Sequence, residues 1–395
     1  MKILLAHNRY RTGAPGGEDI VFEQERTLLE QSGHEVSCYL RSNDEMDEKQ
    51  LSHRARVVID MQRSERTVRE LGDIVRRNRP DVAHFHNVFP LISASGYEVC
   101  ANEGIPVVQT VHNHRISCST ATHFRNGSVC ERCTPSNPWA AVRYGCYRNS
   151  HVASLAVASM IFRNHLSQVH QQSISKFIAL TRFSANRLVS AGIAPERIVV
   201  KPNFVDIPDV DRGPARRERA FAFVGRLAEE KGLRLLFDAW KQLRDVPLWV
   251  VGEGPLRAEL EKIAADNNLP VRFLGLLERT ALPPVLRAVR SIIVPSLCLE
   301  GGVPLTLLEA MASGTPAIAS RLSGIPEIID NEVDGLLFEP GNSAQLVQAV
   351  RRLEYESPFH AAMSARAVEK IIRECDRQAN LKALIDIYDS VVRAR

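Results

Sequence analysis

Two cations stand where a diphosphate could use them. Arg226 and Lys231 follow the short apolar run Phe221–Val224 and the turn residue Gly225, just ahead of a stretch with helical character. At the carboxyl end of a strand, beside a helix N-terminus, such a pair would bind a diphosphate and stabilise it as a leaving group. Taken singly, they read equally well as solvated loop cations. A second junction of the same kind is Val250-Val251-Gly252-Glu253-Gly254-Pro255. It is not a G-x-G-x-x-G, because position 257 is Arg, but its glycines would let the backbone approach a ligand. The densest block runs from Pro295 to Pro316. Its Glu300-Gly301-Gly302 turn opens a helix after Pro304 and leaves free amides around Leu305, Thr306 and Leu307. Glu309 falls one turn into that helix. A buried carboxylate there costs desolvation unless it accepts hydrogen bonds, which a sugar diol would supply. The plainer reading is a helix-start acid favoured by the dipole.

The first half has its own candidates. Arg11-Thr12-Gly13-Ala14-Pro15-Gly16-Gly17-Glu18 follows the first apolar run, and its glycines, Gly16 and Gly17 among them, permit a tight wrap around a ligand. A flexible surface loop is the alternative. His112 closes another apolar run, and His84 and His86 close a third; a lone histidine in such a place is more often structural than catalytic. Cys118, Cys130, Cys133 and Cys146 form C-x11-C-x2-C-x12-C. One CxxC with two outlying cysteines could close a tetrahedral, structural zinc site with no open position. Four thiols in an irregular loop fit the same spacing.

The elements that must position these residues alternate along the chain. Ile3–Ala6, Val82–His86, Pro106–His112, Lys176–Thr181 and Ile198–Lys201 read as buried strands, with helices over Asp19–Gln31 and Arg182–Ala191. Asp206 to Arg219, with Pro208, Gly213, Pro214 and eight charged residues, reads as a linker. Strands then resume at Phe221–Val224, Leu248–Val251, Val271–Leu274, Ser291–Val294 and Pro316–Ser320. The intervening helices are Gly232–Leu243, Pro255–Asn267, Thr280–Val289 and Leu305–Ser313, and the chain ends in helices near Ser343–Tyr355 and Ala361–Val392. This predicts two doubly wound α/β domains: residues 1–205, with a cysteine-bearing insertion at about 113–150, and residues 220–375 after a linker at 206–219. A last helix over 376–395 could pack back on the first domain. A ligand cleft is expected at the carboxyl ends of the strands.

Composition agrees with that architecture. The 395 residues are 45% hydrophobic and 24% charged, which excludes disordered, collagenous and disulfide-scaffold classes. The net charge of +4 is too small to argue for nucleic acid. Its distribution is uneven: residues 1–205 carry 25 Lys+Arg against 19 Asp+Glu, and residues 206–395 carry 25 against 27. Glu131 is the only acid between Glu103 and Glu196, a span with eight arginines and one lysine. One acid in about ninety residues is far below the usual ~10–12%, and it suggests a face for anionic lipid or an anionic acceptor. Within that span, Leu155, Ser159, Phe162, Leu166 and Val169 recur at helical spacing among Arg143, Arg148, Arg163 and Trp139. Packing on the first sheet is the usual fate of such a stripe; a basic helix pair touching lipid headgroups is the other. The apolar start, Ile3–Ala6, is too short for a signal peptide, and no window reaches the ~18 apolar residues of a membrane span. A cytoplasmic protein is expected, attached at most peripherally to the inner face of the plasma membrane.

The run Phe221–Gly341, with Gly324-Ile325-Pro326-Glu327 and Gly335-Leu336-Leu337-Phe338-Glu339-Pro340-Gly341, resembles family 4 glycosyltransferases of the GT-B fold. So do Ile178-Ala179-Leu180-Thr181, Lys201-Pro202-Asn203 and Thr110-Val111-His112-Asn113. The resemblance implies two Rossmann-like domains facing a central cleft. It implies a retaining transfer from a nucleotide-diphosphate sugar to a saccharide or lipid-linked acceptor, in cell-surface polysaccharide synthesis. It assigns Arg226 and Lys231 to the diphosphate and Glu309 to the ribose. The amides of Leu305–Leu307 and Glu300 go to the donor sugar, and His112 stands beside the transferred sugar, with no metal needed for catalysis. A similar cysteine-bearing insertion occurs in some polysaccharide-building members. One departure stands out: the family usually places seven residues between its two glutamates, and here Glu300 and Glu309 have eight between them. A GT-B phosphorylase or sugar-nucleotide epimerase, and a non-catalytic membrane-associated sugar-nucleotide scaffold, are the alternatives.

Overall fold

The computed structural model describes residues 1–13, 16–46, 50–207, 217–355 and 357–394. Ala14 and Pro15 of the glycine loop, and 208–216 of the expected linker, lie outside the described residues. The chain divides into two compact units, one of residues 1–123, 131–202 and 378–395, the other of 124–130 and 203–377.

The first unit is built on the strands β1 (Lys2–Arg9), β2 (Glu35–Ser42), β3 (Val82–Phe85) and β4 (Val107–Val111). A small antiparallel hairpin, β5 (Phe124–Arg125) and β6 (Ser128–Val129), comes next in the chain. Strands β7 (Lys176–Ala179) and β8 (Ile198–Val200) complete the first sheet, whose order is β2-β1-β3-β4-β7-β8, all parallel. Parallel sheets are covered on both faces, so the middles of their central strands are mostly apolar. In β1 the alternation of period two splits that apolar run. Ile3 and Leu5 face Phe22, Leu29 and the helix Arg377–Arg393, which contributes Leu384, Ile387, Tyr388 and Val391. Leu4 and Ala6 face Leu71, Val75 and Tyr97. Each fully buried Leu, Ile or Phe contributes about 1.5–3 kcal/mol.

The second unit repeats the plan. Strands β9 (Phe221–Val224), β10 (Leu248–Val251), β11 (Val271–Gly275), β12 (Ser291–Val294), β13 (Ala317–Ser320) and β14 (Gly335–Phe338) form a parallel sheet in the order β11-β10-β9-β12-β13-β14. Phe221, Phe223, Leu248 and Val250 pack on Phe237, Trp240 and Leu260. In each sheet the chain winds outward from a central strand and then returns to that strand's other side. The order therefore reverses between β9 and β12, and between β1 and β3. At such a switch point neighbouring strand ends diverge and leave a crevice, where ligands bind in doubly wound sheets.

The single terminal helix expected over Ala361–Val392 is two, Ser357–Glu374 and Arg377–Arg393. The stripe Leu155–Val169 also divides. In the helix His151–Leu166 the buried face is Ser154, Val157, Ala158 and Ile161, whereas Val152, Leu155 and Leu166 are 78%, 49% and 65% exposed. Val169 is buried on the next short helix, Val169–Ser173. No helix among the described residues is long and apolar enough to cross a membrane.

Candidate functional site

The second-unit candidates gather at its switch point. Gly225 and Arg226 follow β9, Gly252 and Glu253 follow β10, and Glu300 and Pro304–Leu307 follow β12. Lys231 ends a 3-10 turn, Glu229–Lys231, closed by Gly232 at φ 73°. A Cβ on Gly232 would fall 1.8 Å from the Pro295 carbonyl oxygen, so glycine alone lets this turn press on the segment after β12. The Leu297 amide donates to the Glu230 carbonyl at 2.9 Å across the same contact. The result is an ion pair: Lys231 Nζ donates to Glu300 Oε1 at 2.5 Å. Ser296 Oγ donates to the same oxygen at 3.2 Å, and the Glu300 amide donates to Ser323 Oγ at 3.0 Å. Burial is the largest effect and opposes the charge on Lys231, but Glu300, Cys298 and Glu230 together hold the ammonium pKa above its ordinary value. Burial and then Glu300 push the neighbouring Cys298 thiol up. Residues 295–304 carry no regular structure, so the eight-residue spacing between the glutamates strains no element.

The helix Leu305–Ala312 begins after Pro304 with no side-chain cap. The Leu307 amide donates to the Pro304 carbonyl at 3.0 Å, so it is not one of the free amides expected there, which leaves those of Leu305 and Thr306 as the candidates. Leu305 and Leu307 are buried and Thr306 is half-buried. Glu309, within this helix, meets Arg279 Nη2 at 3.1 Å. Burial raises its carboxyl pKa, Arg279 works the other way, and Asp206 adds to the rise. Arg226 lies exposed on its turn. Glu253 is tied to the start of its own helix by Arg257 Nη1 at 2.9 Å. Gly252 serves the loops themselves: a Cβ there would fall 2.0 Å from the Gly225 carbonyl oxygen. The close approach read from sequence as room for a ligand is thus, at this position, backbone against backbone.

In the first unit the end of the glycine turn is anchored at Gly16. Gly16 caps the helix Gly17–Gln31, and its amide donates to Asp19 Oδ2 at 2.8 Å. Asp19 Oδ1 takes His7 Nε2 at 2.7 Å and the Tyr10 amide at 3.2 Å. Burial alone would raise Asp19, but the bonds from His7 and Gly16 leave it below its usual pKa. Glu18 is raised by burial and accepts from Asn113 Nδ2 at 2.7 Å. His112 lies beyond β4 and His86 beyond β3. With Asn113, Arg115, Phe89 and Met160 they line a cavity of about 780 Å³ including its open mouth. Spacing alone singles out neither Glu18 nor Asp19. For Glu25 the signal existed: Phe22, Glu25, Leu28 and Leu29 share one helix face, so an acid sits among core positions.

The four cysteines lie between β4 and the helix His151–Leu166, a stretch whose only regular elements among the described residues are the hairpin and a one-turn helix, Ala140–Arg143. Cys118, Cys133 and Cys146 belong to the first unit and Cys130 to the second. All four are half-buried and none is in a disulfide. Cys118 Sγ lies 3.2 Å from Thr120 Oγ1, and the Cys133 thiol donates to the Pro138 carbonyl at 3.5 Å. Four sulfur donors are the kind that holds a structural zinc, but among the described residues the group whose ligand atoms lie within 4.8 Å of one another is Glu25, His84 and His86, not the cysteines.

Two family descriptions match the chain: Glycosyltransferase Family 4 over residues 15–208 and Glycosyl transferases group 1 over residues 218–354. Among curated relatives, the 2-deoxystreptamine glucosyltransferase of Streptomyces kanamyceticus is 33% identical over 47% of this chain and 53% of its own length. The amylovoran biosynthesis glycosyltransferase AmsK of Erwinia amylovora is 25% identical over 58% of this chain and 61% of its own. An Escherichia coli UDP-Gal:alpha-D-GlcNAc-diphosphoundecaprenol alpha-1,3-galactosyltransferase is 29% identical over 51% and 56%. The chain thus spans only about half the length of these relatives. Of solved structures, Anabaena HepE in complex with UDP and glucose covers 99% of this chain and 100% of its own, at 20% identity and a TM-score of 0.70. Sucrose-phosphate synthase from Thermosynechococcus elongatus covers 100% of both chains, at 18% identity and a TM-score of 0.73. These likenesses establish the fold, two parallel-sheet domains of the GT-B type.

Proposed function

This chain belongs to the family 4, group 1 glycosyltransferases, and from that premise we propose that it moves a sugar from a nucleotide-diphosphate donor to a saccharide or lipid-linked acceptor, with retained configuration, in polysaccharide synthesis. One observation carries the reading: Lys231 is held on Glu300 at the switch point of the second sheet, beside the uncapped start of the helix Leu305–Ala312. The helix amides and the two cations Arg226 and Lys231 suit a diphosphate. As the bond from sugar to diphosphate breaks, negative charge grows on the leaving oxygen, and fixed cations there stabilise the transition state more than the ground state. Two such cations do the work of a metal at that position. Glu309 takes the ribose hydroxyls, which replace the water its carboxylate gave up. Glu300, released from Lys231 as the diphosphate arrives, takes hydroxyls of the donor sugar. The acceptor hydroxyl attacks from the leaving-group face, and its proton passes to the departing phosphate. The occurrence of UDP and UDP-glucose in HepE supports a nucleotide-sugar donor.

The same reading takes Cys118, Cys130, Cys133 and Cys146 as a structural zinc set, and the exposed apolar and basic side of the helix His151–Leu166 as a contact for an anionic membrane at the cytoplasmic face. The E. coli relative, named for a diphosphoundecaprenol-linked substrate, is in keeping with such an acceptor. A thermal-shift panel of sugar nucleotides identifies the donor: at 100 times its dissociation constant a ligand adds ~2.7 kcal/mol. Proton NMR of the released or transferred sugar then reports its anomeric configuration. If no nucleotide sugar stabilises the protein and none is turned over, the reading fails; an inverted product overturns retention alone.

A further inference from the structure

The first unit buries a row of ionisable groups that ends on His112, and the proposed reaction leaves the others without a role. Glu25 lies on the core face of the helix Gly17–Gln31. Lys201, just past β8, donates from Nζ to Glu25 Oε1 at 2.8 Å and to Asn380 Oδ1 at 2.8 Å. The other oxygen, Glu25 Oε2, lies 3.4 Å from His86 Nε2, and both atoms are fully buried with no hydrogen bond to any other group. Across the ring, His86 Nδ1 is 3.0 Å from His112 Nε2, with the two rings stacked at 20°. His84 stands beside this row, its Nδ1 3.8 Å from Glu25 Oε2, but its hydrogen bonds go elsewhere: Nδ1 lies 2.7 Å from the Tyr388 hydroxyl and Nε2 2.7 Å from Thr110 Oγ1.

The placement of protons follows from donor and acceptor chemistry. A carboxylate can only accept. A bare His86 Nε2 would set two lone pairs against each other at 3.4 Å in the interior and leave both unsatisfied. A proton on Nε2 satisfies both, and apo geometry of this kind is commonly long. Burial, and after it the neighbouring imidazoles and Lys201, hold His86 and His112 well below the ordinary imidazole pKa, so each ring carries one proton. With its proton on Nε2, His86 has a bare Nδ1. His112 must then donate from Nε2, which leaves its Nδ1 bare as well.

We propose that Glu25 and His86 are positioning residues that lock His112 into the tautomer whose Nδ1 can only accept a hydrogen bond. His112 then favours a hydroxyl on its ligand over a carboxylate or phosphate oxygen. That the hydroxyl belongs to a sugar rests on the glycosyl-transfer reading; the tautomer does not. The test is ¹⁵N NMR of the full chain labelled at histidine, near neutral pH and without ligand, with His112 assigned by loss of its signals in His112→Gln. The expected result is a bare-nitrogen shift at Nδ1 and a protonated shift at Nε2. The charge-swapped variant Glu25→Lys/Lys201→Glu keeps a buried ion pair but aims a donor at His86 Nε2. The relay should reverse and His112 Nδ1 should become protonated. Should that variant not fold, Glu25→Met/Lys201→Met removes the fixed end without stranding a charge, and the His86 and His112 signals should then average between tautomers. A protonated Nδ1 or an imidazolium in the wild type overturns the proposal, as does an unchanged single tautomer in a folded variant. Because no sugar nucleotide is present, a protein that shows the expected tautomer and transfers nothing supports the relay while refuting the glycosyl-transfer reading.

Discussion

The pairing of Lys231 with Glu300 changes what single substitutions report. Arg226 is exposed and buries little, so Arg226→Ala should leave thermal stability near wild type while lowering turnover about 10²–10³-fold, the usual loss for one charge-stabilising donor. Lys231→Ala should lose as much rate and also some stability, because it leaves Glu300 without its cation at a half-buried site. Wild-type transfer by either variant removes the diphosphate assignment. Glu309 has a pH signature. Burial raises its folded pKa above the unfolded value. The stability it contributes is therefore complete below the ordinary glutamate pKa and is lost as pH rises through the folded value. Wild type should lose stability relative to Glu309→Gln across that window. Donor affinity should rise there in the wild type, because only the carboxylate accepts from both ribose hydroxyls, and should stay weak and flat in the variant. Titration calorimetry at several pH values checks both trends; equal donor affinity in the two proteins ends the ribose assignment.

At the scale of elements, what the sequence revealed depended on how completely each element is buried. Central strands such as β1, β3, β9 and β12 are mostly buried and carry short apolar runs that stand out. The edge strand β2 (Glu35–Ser42) is only partly buried and mixes polar with apolar residues, so no run marked it, and β14 (Gly335–Phe338) was legible as a motif but not as a strand. The break between the last two helices carries no glycine or proline. It falls where the chain passes from the second unit's core to the first's, which is tertiary and invisible to local periodicity. Likewise, Arg226, Lys231 and Glu309 could be found by their positions after strands. The contact of Lys231 with Glu300, or of Glu25 with His86, spans too much chain for spacing to show. The cysteine stretch lacks both runs and long helices, and its prediction follows from that poverty. If zinc is bound, Cys130→Ser and Cys133→Ser should each lower the melting temperature and release metal without changing donor affinity. Elemental analysis near one zinc per chain is expected; metal well below one equivalent, with freely titratable thiols, leaves four ordinary thiols.

Charge is the property of the whole molecule that no single element explains. The excess of cations falls in the first half, where one acid, Glu131, stands between Glu103 and Glu196. The fold gives that excess a place. Val152, Leu155 and Leu166 project from the outer side of the helix His151–Leu166, Trp139 is exposed nearby in sequence with its ring 5.3 Å from that of Phe162, and Arg143, Arg148 and Arg163 are exposed among them. The neighbouring helix Leu51–Gln62 binds this one through Gln62 Nε2, which donates to the Ala156 carbonyl at 2.9 Å, and exposes Val58 and Ile59. Exposed apolar side chains with exposed arginines close by in the chain would suit the headgroup region of an anionic bilayer. Each basic residue near such a surface adds ~1 kcal/mol, so three or four give reversible attachment, screened within a Debye length. Co-sedimentation with phosphatidylserine-containing vesicles should therefore be strong at low salt and weak at high salt. The Arg143/Arg148/Arg163→Glu triple variant should reduce it while keeping donor-nucleotide binding. Equal recovery with neutral and anionic vesicles, or none at low salt, would mean that this side faces water and that the acceptor comes to the enzyme in solution.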